Sequence, residues 1–165
     1  MKTLKRSFGF ILALSLPLFI VSCNNDDDKP DKPVPVTVKG STFYFNGGSY
    51  VISTSDENAT SIIRQSDFWS DEPANETYTM TFKTDGTYVT MYGDELGTYQ
   101  VAGNTLLLHD NHWGELTATL SADGFIYDID VTSNLQGEIQ QGKFEGVPAS
   151  VVVHSAIRTE NWKKQ

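Results

Sequence analysis

His109-Asp110-Asn111-His112 is the one compact run of metal-ligand side chains in this chain. If Asp110-Asn111 forms a two-residue hairpin turn, His109 and His112 face each other across the strands with Cβ atoms ~5 Å apart. Two imidazoles so placed could share zinc or copper, with Asp110 or Glu115 as a further ligand. A closed zinc site takes about four ligands, and no recognised spacing supplies the rest, so an adventitious pair at an exposed turn is the competing reading. Ring side chains are the second kind of candidate. Tyr88, Thr90 and Tyr92 alternate with Val89 and Met91, and with Trp113 they could offer stacking area and hydroxyl direction to a sugar or an apolar ligand. Against that stands the general tendency of such rings to belong to a core. Nucleophilic chemistry has no comparable signal: there is no Gly-x-Ser-x-Gly elbow and no phosphate-cradling glycine loop. The expectation is a protein without catalysis and without a cofactor.

The elements that must position these residues read as strands. From about residue 39 onward the apolar period is two, and no stretch keeps helical spacing over three turns. Phe125, Tyr127, Ile129 and Val131 alternate with Ile126, Asp128 and Asp130; Leu116, Ala118 and Leu120 do the same among polar neighbours. Turn signals punctuate the runs: Asn46-Gly47-Gly48, Asp85-Gly86, Gly93-Asp94, Gly103-Asn104, Asp110-Asn111 and Asp123-Gly124. The pattern predicts strands at 41–46, 49–55, 60–66, 76–84, 87–92, 96–101, 104–109, 115–121, 124–131, 137–145 and 149–157, with a long loop at 67–75 and a frayed tail at 158–165. The fold class is all-β: a single small antiparallel meander that closes into a barrel or packs as an open sandwich.

Before the strands comes an address. Lys2, Lys5 and Arg6 precede an apolar run at residues 8–21, then Ser22 and Cys23. A basic start, a hydrophobic stretch of this length and a small residue before the cut predict a signal peptide over 1–22. The run is short for a ~30 Å hydrocarbon span and is broken by Pro17. Ile20-Val21-Ser22-Cys23 resembles the lipobox of bacterial lipoproteins, which implies that Cys23, the chain's single cysteine, is acylated and holds the protein to membrane lipid. Residues 23–38, acidic and then rich in proline, read as a disordered tether ahead of a domain at 39–157. One cysteine also excludes an intrachain disulfide, so the domain depends on apolar burial.

Charge narrows the partners. The whole chain carries −9; without residues 1–22 it has 9 bases against 21 acids, a net −12. That argues against nucleic acid, whose phosphates require a basic surface, and against docking through a polybasic patch.

Thr79-Met-Thr-Phe-Lys-Thr-Asp-Gly-Thr-Tyr and Gly97-Thr-Tyr-Gln-Val-Ala-Gly-Asn-Thr-Leu-Leu-Leu resemble the lipocalin-like domain lipoproteins of Bacteroidetes, over about residues 76–131. The resemblance implies a small calycin-type barrel, and the acidic run Asp26-Asp27-Asp28 behind Cys23 is similar to the signal that sends such lipoproteins to the outer face of the outer membrane. No catalytic residues are implied. The expected role is a surface-anchored binding or accessory module for a small apolar ligand or a glycan. The alternatives are a structural or adhesive component that meets another envelope protein, and a metal-binding protein acting through His109 and His112.

Overall fold

The computed structural model describes residues 36–165. Eight antiparallel strands follow one another around a closed barrel: β1 (Thr42–Thr54), β2 (Asn75–Phe82), β3 (Thr87–Thr90), β4 (Glu95–Ala102), β5 (Thr105–Asp110), β6 (Gly114–Leu120), β7 (Gly124–Asp130) and β8 (Val153–Lys164). The meander expected from the period-two pattern is therefore the fold, and the open sandwich is excluded. Two helices interrupt it: α1 (Glu57–Arg64) between β1 and β2, and α2 (Thr132–Gln140) between β7 and β8.

Rings fill the barrel. Phe43, Phe82 and Phe125 meet edge to face with centroids 5.0–5.7 Å apart, Trp162 stacks on Phe125, and Tyr99 stands edge-on to Phe82. Phe43, Phe82 and Tyr88 are completely buried, as are Leu106 and Ala118. Rings this close exclude a bound molecule from their level, and their burial is the main term holding eight strands together without a disulfide.

Four expectations for the elements change. Residues 60–66 are not a strand: Asp56 caps α1 by accepting from the N–H groups of Asn58 (2.8 Å) and Ala59 (3.2 Å), and Ala59 and Ile63, one turn apart, are its buried face. Residues 137–145 are not a strand either. Leu135 and Ile139 repeat the same spacing in α2, too short a helix for its period to stand out in the sequence. Asn46-Gly47-Gly48 is a bulge inside a continuous β1 rather than a hairpin turn: the register against β8 jumps between Phe45 and Gly48. Gly47 takes φ +107°, and a Cβ there would lie 3.1 Å from the Glu72 carbonyl oxygen.

The chain's last residues form the largest correction. Residues 158–165 do not fray; all but Gln165 belong to β8, which pairs with β1 on one side and β7 on the other and so closes the barrel. At the other terminus Val36 and Val38 are buried, and the Val36 N–H donates to the Ser121 carbonyl at 2.7 Å. The packed domain thus begins before residue 39 and runs past 157. The predicted signal peptide, Cys23 and most of the tether lie outside the described residues.

Candidate functional site

An up-and-down barrel with eight strands has two unlike ends. Both termini and the turns at 83–86, 103–104 and 121–123 lie at one; the connections 55–74, 91–94, 111–113 and 131–152 lie at the other. The terminal end is closed by short polar turns and by the Val36 and Val38 strap. The loop end is different. Of the ten large apolar side chains that face solvent among the described residues, six are in its connections (Ile62, Phe68, Met91, Tyr92, Trp113 and Val152) and none is in the turns of the terminal end. The other four, Val51, Tyr78, Val101 and Ile126, are on strands. Scattered exposed apolar residues are ordinary, but their collection on the loops of one end marks that end as the surface to consider.

Two of the ring residues singled out in the sequence are there. Tyr92, 78% exposed, sits in the β3–β4 turn; Trp113, 37% exposed, sits in the β5–β6 loop with His112 edge-on at 4.5 Å. Tyr88 does not join them. Its ring is fully buried against Phe82 and it presents nothing to a ligand, which corrects its assignment as a contact residue. Its hydroxyl instead donates to Asp110 Oδ2 at 2.7 Å, while Asp110 Oδ1 accepts from the backbone N–H groups of His112 and Trp113, each at 2.8 Å. Burial, and then this carboxylate, push the Tyr88 pKa far above the ordinary value. The loop bearing Trp113 is therefore fastened to the barrel core through one carboxylate, which holds the ring in place before any ligand arrives.

That same carboxylate undoes the predicted metal pair. Asp110 pairs with Gly114, so the loop has three residues, Asn111, His112 and Trp113, with Gly114 at φ +78° closing it. The extra residue moves His112 out of the strand ladder. The partner across from His109 is Glu115, 3.4 Å away from Nδ1 to Oε1, and not His112. Both oxygens of Asp110 already accept hydrogen bonds, and among the described residues no group of three or more His, Cys, Asp or Glu could hold a metal ion. The cross-strand histidine site has no geometric basis.

A buried polar cluster was missed. Along β8 the inward positions are Ala156, Arg158, Glu160 and Trp162. Glu160, 7% exposed, accepts from the Tyr127 hydroxyl (2.6 Å) and the Trp162 indole (3.1 Å) on Oε2, and its Oε1 pairs with Arg158 Nη2 at 3.0 Å. The same Nη2 reaches Glu72 Oε1 at 3.2 Å, and Tyr50 donates to that oxygen at 3.3 Å. Burial foremost, then Glu160, raises the Tyr127 pKa; burial works to lower that of Arg158, and the surrounding Glu160, Tyr50 and Glu72 more than offset it. Every carboxylate oxygen here is engaged in a hydrogen bond or ion pair. The cluster braces the connection at 65–74, whose Glu72 also exchanges two backbone hydrogen bonds with Gly48, against the barrel wall. The available sequence signal was period two at 156, 158, 160 and 162. It was hidden because the register shift opposite Ser53 and Thr54 moves the inward set from Val151 and Val153 to even numbers.

The loop end also holds a cleft of about 350 Å3 between the 65–74 connection and α2, lined by Ser66, Asp67, Phe68, Glu138, Lys143 and Phe144. Trp69, next to the exposed Phe68, is buried: it packs on Tyr50 at 5.3 Å and donates from Nε1 to Glu138 Oε2 at 2.9 Å. Glu138 Oε1 in turn pairs with Lys143 at 3.2 Å. Compared with known protein families, with characterised proteins and with solved structures, the chain matches none.

Proposed function

We propose that this protein is a lipid-anchored, non-catalytic binding module of the lipocalin-like kind, displayed on the outer membrane, whose ligand meets the loop end of the barrel. The observation that carries the reading is the sorting of exposed apolar side chains: Phe68, Met91, Tyr92 and Trp113 stand on the loops of one end, and the turns of the other carry none. A ring left in water forgoes about 1.5–3 kcal/mol of burial, so several on the loops of one end are best explained by something that covers them. The described chain enters the barrel at the opposite end, through Val36.

Two further points support binding without chemistry. Glu160 and Asp110 are tied into the fold by their hydrogen bonds, and the net charge of −12 after residue 22 suits a ligand that is neutral or basic. The ring-filled interior turns the reading away from a lipocalin cup and towards a surface site of the sort that suits a glycan. The strands close on themselves, so among the described residues no edge strand is left open to pair with another envelope protein.

A glycan array tests this directly. The full chain in detergent should bind at least one immobilised glycan class, and the combined Phe68→Ser, Tyr92→Ser and Trp113→Ser variant should lose that signal. A signal unchanged in the triple variant, or no signal on any glycan, would overturn the reading.

A further inference from the structure

We propose that the cleft between residues 66–68 and the end of α2 is the binding site itself, and that it takes one or two rings of a neutral saccharide with Phe68 as the stacking face. This rests on the reading that the loop end meets the ligand, and it names the place and the chemical class.

Phe68 and Trp69 are adjacent rings with opposite fates: Trp69 is 5% exposed, Phe68 is 79% exposed. Trp69 is pinned by its indole to Glu138 and by packing on Tyr50, and the Ser66 hydroxyl donates to the Ile63 carbonyl at 2.6 Å. The backbone beneath Phe68 is therefore held from both sides, and the ring stands at the cleft by construction rather than on a loose tip. Phe144, nearly buried, forms part of the same cleft.

The polar groups are equally fixed. Glu138 is held by Trp69 through one oxygen and by Lys143 through the other, yet each oxygen keeps a second lone pair, and the ammonium keeps two further N–H groups. An acceptor and a donor thus sit side by side next to an aromatic surface. A pyranose presents the matching pattern, an apolar C–H face with hydroxyls around its edge. A hydrocarbon chain would strip water from the Lys143–Glu138 pair and give nothing back. An acidic sugar would meet two carboxylates, Asp67 and Glu138, against the one ammonium, within a domain that is already strongly acidic. A cleft of about 350 Å3 lies at the small end of ligand sites, which sets the length to one or two rings.

The test uses the full chain in detergent with maltotetraose, cellotetraose and mannotetraose as neutral probes and tetragalacturonate as the charged one. Binding is followed by calorimetry and by the fluorescence of Trp69, which adjoins the site. At least one neutral probe should bind, and Phe68→Ala should weaken it by about tenfold or more, since stacking area is lost. Phe68→Tyr should restore affinity to within about twofold, Val101→Ala on the outer wall of β4 should change it by no more than that, and the Tyr92→Ala, Trp113→Ala double variant should weaken it less than Phe68→Ala does. Binding insensitive to Phe68→Ala but lost in the double variant would overturn the cleft while leaving the loop end as the ligand face. Tighter binding of tetragalacturonate than of every neutral probe would overturn the neutral class. No binding of any tetrasaccharide at about 10 mM would overturn this cleft and its neutral class; an array signal that the triple variant loses would then leave the broader reading in place, and an array without signal would overturn that as well.

Discussion

Glu160 is an acid in an aromatic interior, and its surroundings explain why it is tolerated: two neutral donors and one guanidinium occupy its oxygens. Glu160→Ala leaves the Tyr127 hydroxyl, the Trp162 indole and part of Arg158 without partners, and should cost about 3–5 kcal/mol, read as a lower urea midpoint. The combined Arg158→Met, Glu160→Leu variant should cost clearly less, because no charge is left stranded. The neighbouring tyrosines give this region a pH signature. Tyr88 and Tyr127 have pKa values raised above the ordinary 10.0, Tyr88 by burial and then Asp110, Tyr127 by burial and then Glu160. A raised folded pKa means that the unfolded chain releases its protons first. The stabilisation is fully present below pH ~10 and declines as pH rises beyond it, towards the folded values. Urea midpoints should therefore fall between pH ~9.5 and ~11, and the fall should be smaller in Tyr127→Phe. At this scale the sequence was informative about residue type and uninformative about partners. Tyr88, Tyr92 and Trp113 were visible as rings, but Tyr88 is sunk by its place on the inner face of β3, and Trp113 is set in its loop by Asp110, which captures two backbone N–H groups.

Elements were legible wherever one face is wet and the other dry. β6 and β7 bury Leu116, Ala118 and Leu120, and Phe125, Tyr127 and Ile129, as their alternation indicates. α1 and α2 were not legible, because eight or nine residues with two buried positions each carry too little periodicity to outweigh β-branched Ile62, Ile63 and Ile139. Local chemistry was nonetheless written at one of them: Asp56 ahead of Glu57, Asn58 and Ala59 is a cap followed by a first turn. Asp56→Ala should lower stability by about 1 kcal/mol, with amide exchange quickening first in α1. β8 provides the sharper test. Ending the chain at Ile157 removes its pairing with the first part of β1 and most of its pairing with β7, so the truncated protein should lose cooperative thermal unfolding altogether. A truncated chain that melts like the intact one would mean that the barrel does not depend on its closing strand.

Across the whole molecule, the meander separates two ends by strand parity alone: an even number of up-and-down strands returns the C-terminus to the end where the chain enters. In the native host, Cys23→Ser should move the protein from the membrane to the soluble fraction, because the proposed hold is hydrocarbon at about 0.8 kcal/mol per buried CH2 and not a spanning helix. Persistence in the membrane fraction would count against an acyl anchor. By itself the sequence determined the all-β class and the meander, because alternation and turn residues are local properties that each hairpin expresses independently. Tertiary structure alone decided the closure of the barrel by β8, the exchange of two expected strands for helices, and the burial of Glu160 beside a half-buried Arg158. Each of these turns on contacts between residues far apart in the chain, such as Tyr127 with Glu160 and Trp69 with Glu138, and a polar strand becomes a barrel wall only when its partners are already there to receive it.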